Sequence, residues 1–142
     1  MYTQCSRLVH PIHTLSLNLG DVDDHHVYPD PKSYPPAVPS QYAMNGEFGG
    51  VGAFIKGKEW KPDACFAYRL EDTPTDLANN FIQMATSIKQ YLGNLSAAIL
   101  TQITDVETEC DGFFNYDRTN KFTQEDTNRI YEANRAIINT VL

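Results

Sequence analysis

Prolines at 29, 31, 35, 36 and 39 crowd one short stretch of this 142-residue chain and restrict it more than any other feature does. Proline has no backbone N–H and fixes φ at about −65°, so neither a helix interior nor a central strand tolerates such a run. Residues 29 to 40 must therefore be loop, and the segments on either side must be separate elements. Asp21 to Tyr28 alternates in character and reads as a strand that the prolines end. Gln41 to Gly46 reads as the next strand.

The remaining elements follow from periodicity and capping. Arg7-Leu8-Val9 is a short strand candidate followed by a loose loop to Gly20, and residues 49 to 72 form a long irregular connection carrying Trp60. Thr73-Pro74-Thr75-Asp76 supplies an N-cap, a proline at the first helical position and an acid in the first turn. Leu77, Phe81, Met84, Ile88 and Leu92 then recur at helical spacing, and Gly93 is placed to stop the helix. Ser96 to Thr104 reads as a buried strand through Ala97, Ala98, Ile99, Leu100 and Ile103. Thr123 with Asp126 opens a second helix whose apolar side is Ile130, Ala133, Ile137 and Val141. Strand, strand, helix, strand, helix suggests parallel β/α units.

Composition narrows the functional classes. With 42% hydrophobic and 20% charged residues the chain has the balance of one globular domain, residues 1–142, rather than of a disordered segment. A net charge of −7, with eleven lysines and arginines scattered singly, offers no basic stripe for a phosphate backbone, so nucleic acid is not an expected partner. Cys5, Cys65 and Cys110 are odd in number and lack C-x-x-C spacing, which predicts reduced structural thiols rather than a disulfide framework or a zinc knuckle. Leu8-Val9 is interrupted by His10-Pro11 and no later run approaches 18 apolar residues, so neither an export signal nor a membrane span is expected. Localisation stays open.

The chemistry-bearing residues cluster at strand ends: Asp24-His25-His26-Val27-Tyr28, Gly46-Glu47, and Thr104-Asp105-Val106-Glu107. Glu47 stands alone between glycines in Asn45-Gly46-Glu47-Phe48-Gly49-Gly50, which presents its carboxylate to a cleft; the bland alternative is a solvated loop acid. Asp24, His25 and His26 could be a polar strand end. A metal site is not expected there, because adjacent strand residues point to opposite faces, and no cofactor is implied. Asp105 and Glu107 either line a pocket or satisfy nearby backbone groups and arginines. Trp60 either stacks on a ligand ring or packs into a core.

Four segments in order resemble glycoside hydrolase family 2, the β-galactosidases, β-glucuronidases and β-mannosidases: Ser6-Arg7-Leu8-Val9; Asp21 through Pro31; Gly46 through Gly50; and Thr101 through Glu107 with Tyr116-Asp117-Arg118. The resemblance covers nearly the whole chain. It implies an α/β fold, the last three β/α units of a partial (β/α)8 TIM barrel, with the Glu47 strand between the other two and all three site clusters on one face. It also implies a retaining β-glycosidase in which Glu47 is the nucleophile and Tyr28 orients it, with His26, Asp105, Glu107 and Trp60 as candidate contacts for the carbohydrate substrate.

Two departures accompany the resemblance. The family's acid/base is a Glu following Asn well upstream of the nucleophile, and no Glu precedes Glu47 here, so the isolated chain is expected to be inactive on ordinary glycosides. Asp23 and His25 alternate with the site residues and are expected to face a helical layer where apolar groups belong. The expectation is thus an incomplete glycosidase domain carrying half of a site, prone to self-association or to pairing with a chain that supplies the missing strands. The reading from another class is a non-catalytic fragment or a module for carbohydrate or protein interaction.

Overall fold

The computed structural model describes residues 21–36 and 38–141. The strand candidate at Arg7-Leu8-Val9, the loop to Gly20 and Cys5 lie outside the described residues. Strands β1 (Val22–Val27), β2 (Tyr42–Gly49), β3 (Val51–Ala53) and β4 (Arg69–Glu71) precede helix α1 (Pro74–Gln90), strand β5 (Ala97–Thr101) and helix α2 (Gln124–Val141). β1, β2 and β5 form one parallel sheet with β2 in the middle, whereas β3 and β4 form a separate parallel pair.

This arrangement overturns the expectation of a partial TIM barrel. Barrel units alternate strand and helix around one continuous wall. Here β1 runs to β2 through the proline loop with no helix, two further strands intervene before α1, and the strands divide into two small sheets. The proline run is the reason for the first difference, since it cannot form a crossover helix. Tyr34 from that loop stacks on His25 with ring centroids 4.8 Å apart, and Pro31 is fully buried. The second difference arises at Gly49-Gly50, where φ of 101° and 62° turns the chain out of β2. The expected irregular connection over 49 to 72 accordingly holds β3 and β4.

Helix α1 forms where its capping residues require. Thr73 accepts from the Asp76 amide at 3.1 Å, Pro74 opens the helix, and Asp76 and Lys89 complement the dipole at its two ends. Its apolar face buries Leu77, Ala78, Phe81, Met84, Ala85 and Ile88. Each large side chain among these contributes about 1.5–3 kcal/mol by leaving water. They join Phe48, Val51, Ala53 and Ile130 in the core, with Ala98, Leu100, Phe113, Phe122, Ala133 and Ile137 packed around it. Phe113 meets both Phe81 and Phe122 edge-to-face.

Three further expectations are corrected. The strand after α1 ends at Thr101 and is not fully buried, since Ile99 and Ile103 are exposed. Cys65 and Cys110 are not free thiols but form a disulfide, with Cα atoms 5.4 Å apart across 45 residues of sequence. Asp23 and His25 are buried beside each other, His25 Nε2 lying 3.3 Å from the Asp23 carboxylate, and the His25 ring is covered by Tyr34 of the proline loop.

Candidate active site

The end of β2 carries Glu47, and a local irregularity aims it. The β1–β2 register shifts so that His25 faces Asn45 while His26 faces Glu47, which leaves Gly46 as an extra residue. The Asp24 carboxylate takes the place that a Gly46 side chain would occupy: it accepts from the Gly46 amide at 2.6 Å, and a Cβ on residue 46 would sit 2.2 Å from it. A side chain at residue 46 would displace that carboxylate. The bulge puts Glu47 on the same side of the sheet as Asp24 and His26, which alternate along β1.

The Glu47 carboxylate is held by two neighbours. The Tyr28 hydroxyl donates a short hydrogen bond to Oε2, and His26 Nδ1 lies 3.3 Å from the same oxygen. Tyr28 also reaches Thr101 Oγ1 at 3.2 Å, tying the ends of β1, β2 and β5 together. The other nitrogen of His26 lies 3.4 Å from Asp24 Oδ2, so the imidazole bridges two carboxylates. Neither contact uses Glu47 Oε1. Burial, followed by the hydrogen bond to Glu47, raises the Tyr28 pKa well above the usual tyrosine range, against a lowering contribution from Thr101. The phenol therefore stays a donor at any physiological pH.

Tyr28 is backed by Tyr68, stacked on it at 4.0 Å with the two rings nearly parallel. Gly50 makes room for this pair: at φ 62° its missing Cβ would lie 2.5 Å from the Tyr68 ring and 3.0 Å from Tyr28. Sequence reading named Asp24 and Thr101 without giving either a role beside Glu47, and it did not mark Tyr68 at all. Asp24 had a usable signal, two residues before His26 and so on its side of a strand; Tyr68 arrives from the 54–68 connection with no local pattern to mark it.

Of the six expected site residues, the structure brings Glu47, Tyr28 and His26 together. Asp105 lies elsewhere in environment: it is buried, its Oδ1 accepting from Lys121 Nζ and from the Gly112 amide, each at 2.8 Å. Its backbone carbonyl takes Arg118 at 3.3 Å. Its carboxylate is thus bonded within the 102–122 segment. Glu107 is exposed at φ 52°, and Trp60 is half-exposed and tilted against Tyr116 at 4.9 Å. Among the described residues no group of three or more His, Cys, Asp or Glu side chains is arranged to hold a metal ion, and no helix is long and apolar enough to cross a membrane.

No family profile and no curated protein sequence matches this chain. Among solved structures it is similar to one described as "Structural analysis of an exo-beta-agarase", a glycoside hydrolase, at a TM-score of 0.61 and 20% identity. The likeness covers 87% of this chain and 17% of that one, so this chain spans a small part of its neighbour's length. At that identity the comparison shows a shared fold.

Proposed function

We propose that this chain carries the nucleophile half of a retaining β-glycosidase site, with Glu47 as the attacking carboxylate. The observation that carries the reading is the asymmetry at Glu47: Tyr28 and His26 both engage Oε2 and leave Oε1 to react. A carboxylate fixed through one oxygen by a phenol donor is oriented before the substrate arrives. The fold shared with a glycoside hydrolase adds support.

In the proposed reaction a lone pair of Glu47 Oε1 forms a bond to the anomeric carbon as the bond to the leaving oxygen breaks, giving a glycosyl ester. Water then hydrolyses that ester with return of the carboxylate. His26 meets a sugar hydroxyl on the same face, and the Tyr28 proton stays on its oxygen throughout. The leaving oxygen needs a proton from a second carboxyl group about 5–5.5 Å from the nucleophile, and no Glu precedes Glu47 in this sequence. General acid catalysis contributes roughly 10²–10⁴-fold, so turnover of ordinary alkyl glycosides by this chain is expected to be negligible.

The test removes the need for the acid. A 2,4-dinitrophenyl 2-deoxy-2-fluoro-β-glycoside releases dinitrophenolate without protonation and leaves its fluorosugar on the carboxylate as a long-lived ester. Intact-mass spectra and peptide mapping after incubation with the galacto, gluco and manno reagents are expected to show one glycosyl group on Glu47, and none in Glu47→Gln. Absence of label from all three reagents sinks the nucleophile reading and favours a non-catalytic interaction module.

A further inference from the structure

Beside Tyr28 two aromatic residues remain half open to solvent although they sit in an ordered part of the chain. Phe66 and Tyr68 are each 50% exposed and meet edge-to-face at 5.4 Å. Their backbone is pinned: the Phe66 amide donates to Thr108 O at 2.7 Å, its carbonyl accepts from Cys110 at 2.8 Å, and the Tyr68 amide donates to Gly50 O at 2.8 Å. The Cys65–Cys110 disulfide locks the residue just before Phe66 to the same neighbouring strand of chain. Flat apolar rings held in place in water incur little ordering cost when a ligand arrives.

Polar groups border these rings. The Gln102 amide is fixed between Glu109 Oε2 at 3.0 Å and Asp111 Oδ1 at 2.7 Å, and Glu109 is exposed. Tyr68 lies within electrostatic reach of Glu47, Glu109 and Asp111, whose charges add to burial in raising its pKa. Arg69, the cation next in sequence, is paired with Asp30 at 3.5 Å. The surroundings are thus aromatic, rich in hydroxyl acceptors and negative.

We infer that Phe66, Tyr68 and Glu109 form a shelf for a second, uncharged sugar ring of the glycan whose neighbouring ring is presented to Glu47. The shelf is continuous with the Glu47 site because Tyr68 stacks on the same Tyr28 that bonds Glu47. A pyranose stacks its C–H face on one of the two rings and meets the other, inclined at 67° to the first, along its side, while its hydroxyls donate to the Glu109 carboxylate. Uronate and sulfate groups are repelled by Glu109, Asp111 and Glu47. The assignment of this ring as the neighbour of a reacting one rests on the nucleophile reading above; the binding itself does not.

The test measures binding of β-1,4-linked galacto-, gluco- and mannotriose to the full chain by NMR, each beside the same trisaccharide oxidised at C6 to its uronate. At least one neutral form is expected to bind, and its uronate more weakly. Tyr68→Ala and Phe66→Leu are each expected to weaken the neutral ligand up to roughly tenfold, the scale of one aromatic contact. Glu109→Gln is expected to narrow the preference for the neutral form by up to about fivefold, the scale of one exposed charge pair. Phe66→Leu keeps apolar volume and Glu109→Gln keeps shape, so both report on the shelf even if Tyr68→Ala unfolds; Tyr131→Ala on α2 serves as an unaffected control. Binding of no neutral trisaccharide, equal binding of the uronates, or indifference to Phe66→Leu and Glu109→Gln overturns the shelf. The monosaccharide labelling reagents lack the second ring, so label on Glu47 with shelf-indifferent binding removes the shelf alone. Shelf-dependent binding without label supports the shelf and removes only the nucleophile reading.

Discussion

Asp105 and Glu47 are both acids placed by the sequence at the ends of parallel strands, and the structure treats them in opposite ways. Asp105 is sealed, its carboxylate compensated by the Lys121 ammonium and the Gly112 amide, with both side chains almost wholly removed from water. Glu47 is part-exposed and held on one oxygen by a neutral phenol and an imidazole. The first arrangement neutralises a charge to make a core tolerable. The second keeps a charge oriented and accessible, as a reacting group requires. What separates the two acids is not their local sequence but the residue that reaches them from elsewhere: Lys121 from beyond the 102–120 turns, Tyr28 from the neighbouring strand.

The largest effect expected from breaking this contrast is at Lys121. Burial lowers its pKa, and the hydrogen bond to Asp105 opposes that shift, so the ammonium depends on its partner. Lys121→Met leaves Asp105 buried without a counter-charge and is expected to cost about 3–5 kcal/mol in urea unfolding. Lys121→Met with Asp105→Asn is expected to recover part of that loss, since removing both charges removes the desolvation problem. Recovery of nothing would mean that the loss comes from the other Lys121 contact, its hydrogen bond to the Cys110 carbonyl at 3.1 Å, rather than from the uncompensated charge.

At the open acid the effect moves from stability to chemistry. Tyr28→Phe keeps the ring stacked on Tyr68 and removes only the hydroxyl that bonds Glu47 and Thr101. Hydrogen bonds to charged groups contribute about 1.5–3 kcal/mol, so labelling of Glu47 is expected to slow by roughly tenfold to a hundredfold. Folding stability is expected to fall by no more than that same amount, so labelling is compared where both proteins are folded. If labelling is unchanged, the phenol does not position the nucleophile.

The same contrast explains how much could be read in advance. The helices were legible because each combines a cap, Thr73 or Thr123, with an apolar repeat over several turns, and both signals are local. β1 and β2 were legible from the proline run and from alternation, while the place of β2 between the other two strands came from the family resemblance. β3 and β4 were not, since Val51–Ala53 and Arg69–Glu71 are too short to show a period. The exposure of Ile99 and Ile103 was invisible because an apolar run does not say what covers it. The partners of Asp105, the Cys65–Cys110 bond and the Tyr68 stack all join residues far apart in sequence, where spacing carries no signal. Glu47 was singled out by the glycines around it, whereas Tyr28 and His26 were set beside it by the family resemblance.

A third carboxylate sharpens the comparison at the smallest scale. Asp126, at the start of α2, accepts from Thr123 and Thr75 at 2.9 Å and from Arg129 at 2.9 Å, so it is buried like Asp105 but satisfied by hydroxyls as well as by a cation. Burial alone would raise its pKa; the hydrogen bonds from Thr75, Thr123 and Arg129 outweigh that and leave it lowered. A carboxyl with a lowered folded-state pKa contributes stability that is present above its unfolded value and is lost as pH falls through the folded one. Asp126→Asn is therefore expected to cost about 1 kcal/mol at neutral pH, the scale of a helix N-cap. It should cost much less in acid, below the folded-state pKa. Other acids titrate nearby: Asp117, held down to about 2 chiefly by the hydrogen bond from Lys58, and Asp111, raised by burial and so of opposite sign. Urea unfolding of parent and variant at each pH, read as the difference between them, isolates Asp126 from both. A cost that does not shrink in acid would mean that Asp126 stabilises α2 by geometry rather than by its charge.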